Sequence, residues 1–162
     1  MIVGDELKEG SFSPIILNGS PLDFVTEYRY LGVNLVAKKC LSFSAKPDLR
    51  SFYRASNAIL YSATKPNERI LMKLLYTNCV SILSYACSVK QFDASEMTSC
   101  NTAINNAIRR IFSFKTFESV RHLRQMHNCL SIYEIFARAK SKFLIAATTS
   151  SNTVIKHIAN CS

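Results

Sequence analysis

Glu27-Tyr28-Arg29-Tyr30-Leu31-Gly32-Val33-Asn34-Leu35-Val36 is the stretch on which the fold turns. The chain before it reads as extended and the chain after it as helical. Tyr28, Tyr30, Val33, Leu35 and Val36 favour strands, and their nearly alternating pattern breaks at Gly32, which predicts a bulge or a close approach to the main chain. Upstream, Pro14 to Leu17 is a short apolar run, and Asn18-Gly19-Ser20-Pro21 is a turn signal with a tolerated positive-φ position. Together these predict a β-hairpin whose second arm is the tyrosine-rich stretch. Met1 to Val3 reads as the end of a strand and Gly4 to Gly10 as a charged turn. Ala37 to Ala45 reads as a polar connection carrying Lys38 and Lys39.

Helical periodicity begins after Pro47, which suits a first turn, with Ser44 nearby as a cap. Leu49, Phe52, Tyr53, Ile59, Leu60 and Ala63 make one buried stripe, and Arg50, Arg54, Asn57 and Tyr61 fall on a second stripe beside it. Lys65-Pro66 breaks the chain, and Pro66 with Glu68 starts a helix running to about Val89. Its apolar residues, Ile70, Leu71, Leu74, Leu75, Val80, Ile82, Leu83 and Tyr85, surround most of the cylinder and mark it as the core helix. Tyr76 and Tyr85 read as packed rings with tethered hydroxyls. Asp93 and Glu96 have the spacing of a capping box, as do Ser131 and Glu134. Between them, Met97, Cys100, Ile104, Ala107, Ile108 and Ile111 form a stripe opposite Thr98, Thr102, Asn105, Asn106, Arg109 and Arg110. A shorter helix lies within Thr116 to Cys129, carrying Arg121 and Arg124 and packed by Val120, Leu123 and His127. The last helix packs through Ile132, Ile135, Phe136, Ala139, Phe143 and Ala146, with Arg138, Lys140 and Lys142 flanking. Thr148 to Ser151 reads as a fraying end, with one loose turn over Val154 to Ala159.

Charge is unevenly spread. Residues 1 to 45 carry four Lys and Arg against five Asp and Glu, a net of −1, while residues 46 to 162 carry the other 16 against six, a net of +10. A basic helical part favours a polyanionic partner, nucleic acid first and an anionic membrane surface second. The Arg50, Arg54, Asn57 and Tyr61 stripe suits this: two guanidinium groups one turn apart can follow phosphates, and Asn57 and Tyr61 add hydrogen-bonding and stacking groups. An ordinary solvated face satisfies the same pattern.

The ordered set Val25-Thr26-Glu27-Tyr28-Arg29-Tyr30-Leu31-Gly32-Val33, Ile82-Leu83-Ser84-Tyr85 and Asn105-Asn106-Ala107-Ile108-Arg109-Arg110-Ile111-Phe112 resembles the post-catalytic part of a non-LTR (LINE-type) retrotransposon reverse transcriptase. The resemblance spans residues 1 to 145. It implies that the Tyr-Leu-Gly strand is similar to that family's primer grip and the helices to its thumb. Tyr28, Tyr30, Leu31 and Gly32 would then help seat the primer 3′ end. Arg50, Arg54, Asn57, Tyr61, Arg109 and Arg110 would hold an RNA-DNA hybrid or a DNA duplex through its minor groove and phosphates. The palm and fingers would lie upstream of this segment in a larger polyprotein.

Polymerisation needs two metal ions held by closely placed carboxylates. Asp5-Glu6 falls in a charged turn, Asp93 and Glu96 belong to a helix start, and the family's aromatic-x-Asp-Asp motif is missing. The chain is therefore expected to bind without catalysing, and with no cofactor. Serine-hydrolase, thiol-protease and phosphate-loop readings find no supporting motif. Cys40, Cys79, Cys87, Cys100, Cys129 and Cys161 include no C-x-x-C pair, and Cys79, Cys87 and Cys100 fall on apolar faces as small hydrophobes of a reducing compartment. His122 and His127 stand about 140° apart around a helix, which disfavours zinc.

No signal peptide opens the chain, and Leu74 to Val89 is too polar and short for a membrane span. The expected location is intracellular, nucleus or cytoplasm. The fold class is α+β, mostly α. Residues 1–45 form a palm remnant and primer-grip-like hairpin, 46–149 a thumb-like bundle of four or five helices, and 150–162 a frayed tail. Two other readings stay open: a helical protein-interaction or structural domain, and a degenerate remnant with no present role.

Overall fold

Two tight turns shape the N-terminal region of the computed structural model, which describes residue 13 and residues 15–37, 41–61 and 66–155. At the first, Asn18 (φ 49°) and Gly19 (φ 80°) join β1 (Ile16–Leu17) to β2 (Ser20–Pro21). Positive φ at both central positions is the signature of a two-residue hairpin loop, and Asn-Gly is its favoured sequence. At the second, Leu31 (φ 46°) and Gly32 (φ 78°) join β3 (Glu27–Tyr30) to β4 (Val33–Ala37).

The expected hairpin is therefore replaced by two. Tyr28 pairs with Leu35 and Tyr30 with Val33, so the tyrosine-rich stretch folds back on itself, while Ile16–Leu17 pairs with Ser20–Pro21. Gly32 is a turn residue, and no bulge interrupts a continuous strand. The expected polar connection also holds a strand, β5 (Leu41–Phe43), which completes an antiparallel β3-β4-β5 sheet.

Helix α1 (Lys46–Leu60) starts with Pro47 in its first turn. Ala45 is its N-cap, the Ser44 hydroxyl before it accepts the Lys46 N–H at 3.4 Å, and Glu96 accepts the Ala45 N–H at 3.0 Å. That contact takes the Glu96 carboxylate to another element, while Asp93 accepts the Glu96 N–H at 2.8 Å. Phe52 and Ser56 are buried, but Tyr53 is largely exposed. The next helix begins where expected, Asn67 capping α2 (Glu68–Leu74), and continues through a π-helical turn (Leu75–Val80) into α3 (Ser81–Ser84). It ends before Val89 because Tyr85 turns to an extended backbone, ψ 129°. Met72, Leu75, Cys79, Val80 and Leu83 are buried at its inner side, whereas Ile70 and Tyr85 are exposed.

Helix α4 (Ala94–Ile111) buries the expected stripe, with Ala103 added, against α1, α2 and α6. A short α5 (Arg121–Met126) leads to α6 (Ile132–Thr148), whose capping box is complete: the Ser131 hydroxyl accepts the Glu134 N–H and the Glu134 carboxylate accepts the Ser131 N–H. The α6 stripe is buried or half-buried from Ile132 to Ala139, then Phe143 and Ala146 lie exposed. Ala147, one position further on, is buried instead. Residues 153–155 make a helical turn.

The result is α+β, mostly α: among the described residues, a small antiparallel region is followed by six α-helical segments around one core that includes Phe52, Cys79, Leu83, Cys100, Ile104, Ile108 and Ile132. The expectations for Met1–Val3, Gly4–Gly10, Pro14, Lys38, Lys39, Cys40, Ala63, Lys65 and Cys161 fall outside the described residues.

Candidate nucleic-acid interface

The second stripe of α1 is on the surface. Arg50, Arg54 and Tyr61 are exposed and Asn57 is half-buried. Arg110 arrives from the last turn of α4 and binds this stripe: its Nη1 donates to Asn57 Oδ1 at 2.8 Å and its Nη2 to the Tyr61 hydroxyl at 2.9 Å. Its guanidinium carbon also lies 5.5 Å from the Tyr61 ring centroid. A planar cation over an aromatic ring with two fixed acceptors is held in place at little further entropic cost. Arg50, Arg54, Asn57, Tyr61 and Arg110 thus belong to one strip built from two helices.

Arg109 does not join it. Its Nε donates to the Glu118 carbonyl at 2.9 Å and its Nη1 to Asn106 Oδ1 at 2.9 Å, so it ties α4 to the following connection. One residue of helix turns a side chain by about 100°, enough to separate the pair. Asn105 also leaves the expected polar face: it is half-buried, and its Oδ1 has no partner among the described residues.

The hairpin residues form a second group. Tyr28 and Tyr30, two apart on β3, share one face of the strand, and Leu31 at the tip is 73% exposed. A leucine held at positive φ costs of order 1 kcal/mol, and strain of this kind gathers at functional positions. Gly32 is close to another element, as its sequence context implies. A Cβ placed there would meet Tyr85 Cε1 at 3.1 Å, and the Tyr85 hydroxyl donates to the Leu31 carbonyl at 3.0 Å.

Lys90 connects the two groups, and periodicity missed it. It is 1% exposed, its Nζ bonds Asp48 Oδ2 at 2.6 Å, and it lies 5.6 Å from the Tyr85 ring centroid and 5.8 Å from that of Phe92. The hairpin tip is thereby anchored through Tyr85 and Lys90 to the first turn of α1, two residues before Arg50. The only sequence signal for this was a lone lysine at the end of a long uncharged run, Leu74 to Val89.

Tyr76 behaves as a core residue: its hydroxyl donates to the Leu130 carbonyl at 3.1 Å, and burial, followed by the Cys129 thiol, pushes its ionisation well above the usual tyrosine range. Cys79, Cys87 and Cys100 are buried, and burial pushes the Cys100 thiol up to about 11. The His127 ring lies 5.8 Å from that of Phe112, tilted by 50°. Among the described residues no three His, Cys, Asp or Glu side chains come together as a metal site requires, and no helix is long and apolar enough to cross a membrane. No protein-family model, curated protein or solved structure matches the chain.

Proposed function

We propose that this chain is a nucleic-acid-binding module, similar in plan to the primer-grip and thumb portion of a non-LTR retrotransposon reverse transcriptase, which holds a template-primer duplex and contributes no polymerase chemistry of its own. The observation that carries the reading is the seating of Arg110 on Asn57 and Tyr61. It gathers Arg50, Arg54 and Arg110 with two neutral contact groups on one exposed strip, and none of these arginines is matched to an acid among the described residues. Such a strip suits the evenly spaced phosphates of an A-like hybrid, read by shape and not by base. On this reading the Leu31-Gly32 tip, with Tyr28 and Tyr30 behind it, would meet a strand end.

The test is binding of a labelled RNA-DNA hybrid across a salt series. Each arginine that neutralises a phosphate contributes about one unit to the salt slope, so Arg50→Ala, Arg54→Ala and Arg110→Ala together should lower it by about 2 to 3. A triple variant with the wild-type slope would overturn the reading.

A second reading rests on the apolar N-terminal surface. Ile15, Ile16, Leu17, Leu22, Phe24 and Val25 are all exposed, and a groove of about 430 Å³ is lined by Ile15, Leu22, Phe24, Val25 and Tyr28, with Asp23 as its one charged member. Contiguous apolar surface of this kind marks a protein contact. On that reading the region docks on a protein, which for a thumb-like module means an upstream palm and fingers segment, and Tyr28 serves protein and not primer.

A further inference from the structure

The cleft between α5 and the start of α6, about 930 Å³ in volume, gathers three guanidinium groups, from Arg121, Arg124 and Arg138. Arg121 and Arg138 are exposed, and neither guanidinium has a hydrogen bond or ion pair with a described residue. Arg124 is half-buried, donates from Nη1 to Asn101 Oδ1 at 3.4 Å, and lies beside the Tyr76 hydroxyl. The one acid of the lining, Glu134, is committed elsewhere: its Oε2 accepts the Ser131 N–H and the Ser131 hydroxyl, each at 2.7 Å. Those bonds hold its carboxyl below the usual range, with smaller contributions from Arg138 and Arg124. It is ionised and near the arginines, but it forms no ion pair with them.

Three cations against one anion leave this cleft with two positive charges in excess. Gathering like charges costs free energy unless an outside anion offsets it. The neutral lining complements the charges, since Gln125 and Asn128 bring amide donors to the same opening. Arginine forks suit the paired oxygens of a phosphate, and three forks from two helices surround a tetrahedral group better than a flat carboxylate.

We infer that the α5–α6 cleft is a binding site for a phosphate group carrying two negative charges, held by Arg121, Arg124 and Arg138. The inference stands apart from the α1–α4 strip, which shares no residue with it. The group arrives either on a small phosphorylated compound or as the terminal phosphate of a nucleic acid strand.

The experiment uses the full chain, with the arginine Nε–Hε signals followed by nitrogen-15 NMR. Three probes are titrated: inorganic phosphate, a short oligodeoxynucleotide bearing a 5′-phosphate, and the same oligonucleotide with a 5′-hydroxyl. Phosphate should shift the signals of all three cleft arginines. Arg121→Gln with Arg138→Gln, at exposed positions whose side chains hold nothing else in place, should fold normally and weaken phosphate binding about tenfold or more. Arg50→Ala, Arg54→Ala and Arg110→Ala should leave the response intact, which separates failure of this site from failure of the duplex-binding strip. A 5′-phosphorylated oligonucleotide that outcompetes free phosphate identifies a strand end as the source, and equal or better binding of free phosphate identifies a small compound. Unchanged arginine signals, undiminished binding by the double variant, or equal binding of both oligonucleotides with no competition from phosphate would each overturn the assignment.

Discussion

Lys90→Met removes the cation from a buried pair and leaves Asp48 facing a thioether. The Lys90 side chain is 1% exposed and that of Asp48 12%, at an Nζ to Oδ2 distance of 2.6 Å. Breaking a buried pair from one side costs about 3–5 kcal/mol. The residual exposure lets Asp48 recover some hydration, which places the cost near the lower end. Losing the cation near Tyr85 and Phe92 adds about 0.5 kcal/mol for each ring, partly returned by sulfur contacts from the methionine. The net expectation is a loss of about 3 kcal/mol, or a fall in Tm of about 6–12 °C for a domain of this size. Asp48→Asn alone should cost a similar amount, because it strands the buried ammonium. The double variant Asp48→Asn with Lys90→Met should recover most of the loss, apart from about 0.5 kcal/mol for a carboxylate removed from the first turn of α1. Urea denaturation of the four proteins closes the cycle. A Lys90→Met protein within about 1 kcal/mol of wild type, or a double variant whose loss equals the sum of the two singles, would refute the claim that a desolvated ion pair ties the 85–92 segment to α1.

Three further outcomes follow from the same geometry. Leu31→Asn should stabilise the protein by about 0.5–1 kcal/mol, since Asn-Gly suits the turn better than Leu-Gly, while weakening hybrid binding if the tip meets the strand; denaturation and binding measured on one preparation separate the two effects. Ser131→Ala should destabilise α6 by about 1 kcal/mol. Its pH profile should also change: the Glu134 carboxyl is held below its ordinary 4.5 chiefly by Ser131, so its contribution is present above the unfolded-state value and is lost as pH falls through the lower folded-state value, and the variant should show a shallower acid-side decline. Cys100, pushed up to about 11 by burial, should resist alkylation at neutral pH in the native protein and react at the ordinary thiol rate once urea unfolds it; fast native labelling would contradict its burial.

Periodicity and local chemistry determined much of this protein without any structure. The α4 stripe, the Ser131–Glu134 capping box, the Asn18-Gly19 turn and the exposed polar stripe of α1 were all legible, because each depends on residues within a turn or two of one another. Tertiary structure decided what depends on residues about fifty positions apart. Which strand pairs with the tyrosine-rich arm is set by the Leu31-Gly32 turn and the Tyr85 ring beneath it, and the α1 cap is completed by Glu96 from another helix. Arg110 joins Asn57 and Tyr61, and Lys90 lies buried, because packing α4 and the 85–92 segment against α1 brings acceptors to those two cations. A sequence read in windows shows the donors; only the folded chain places the acceptors.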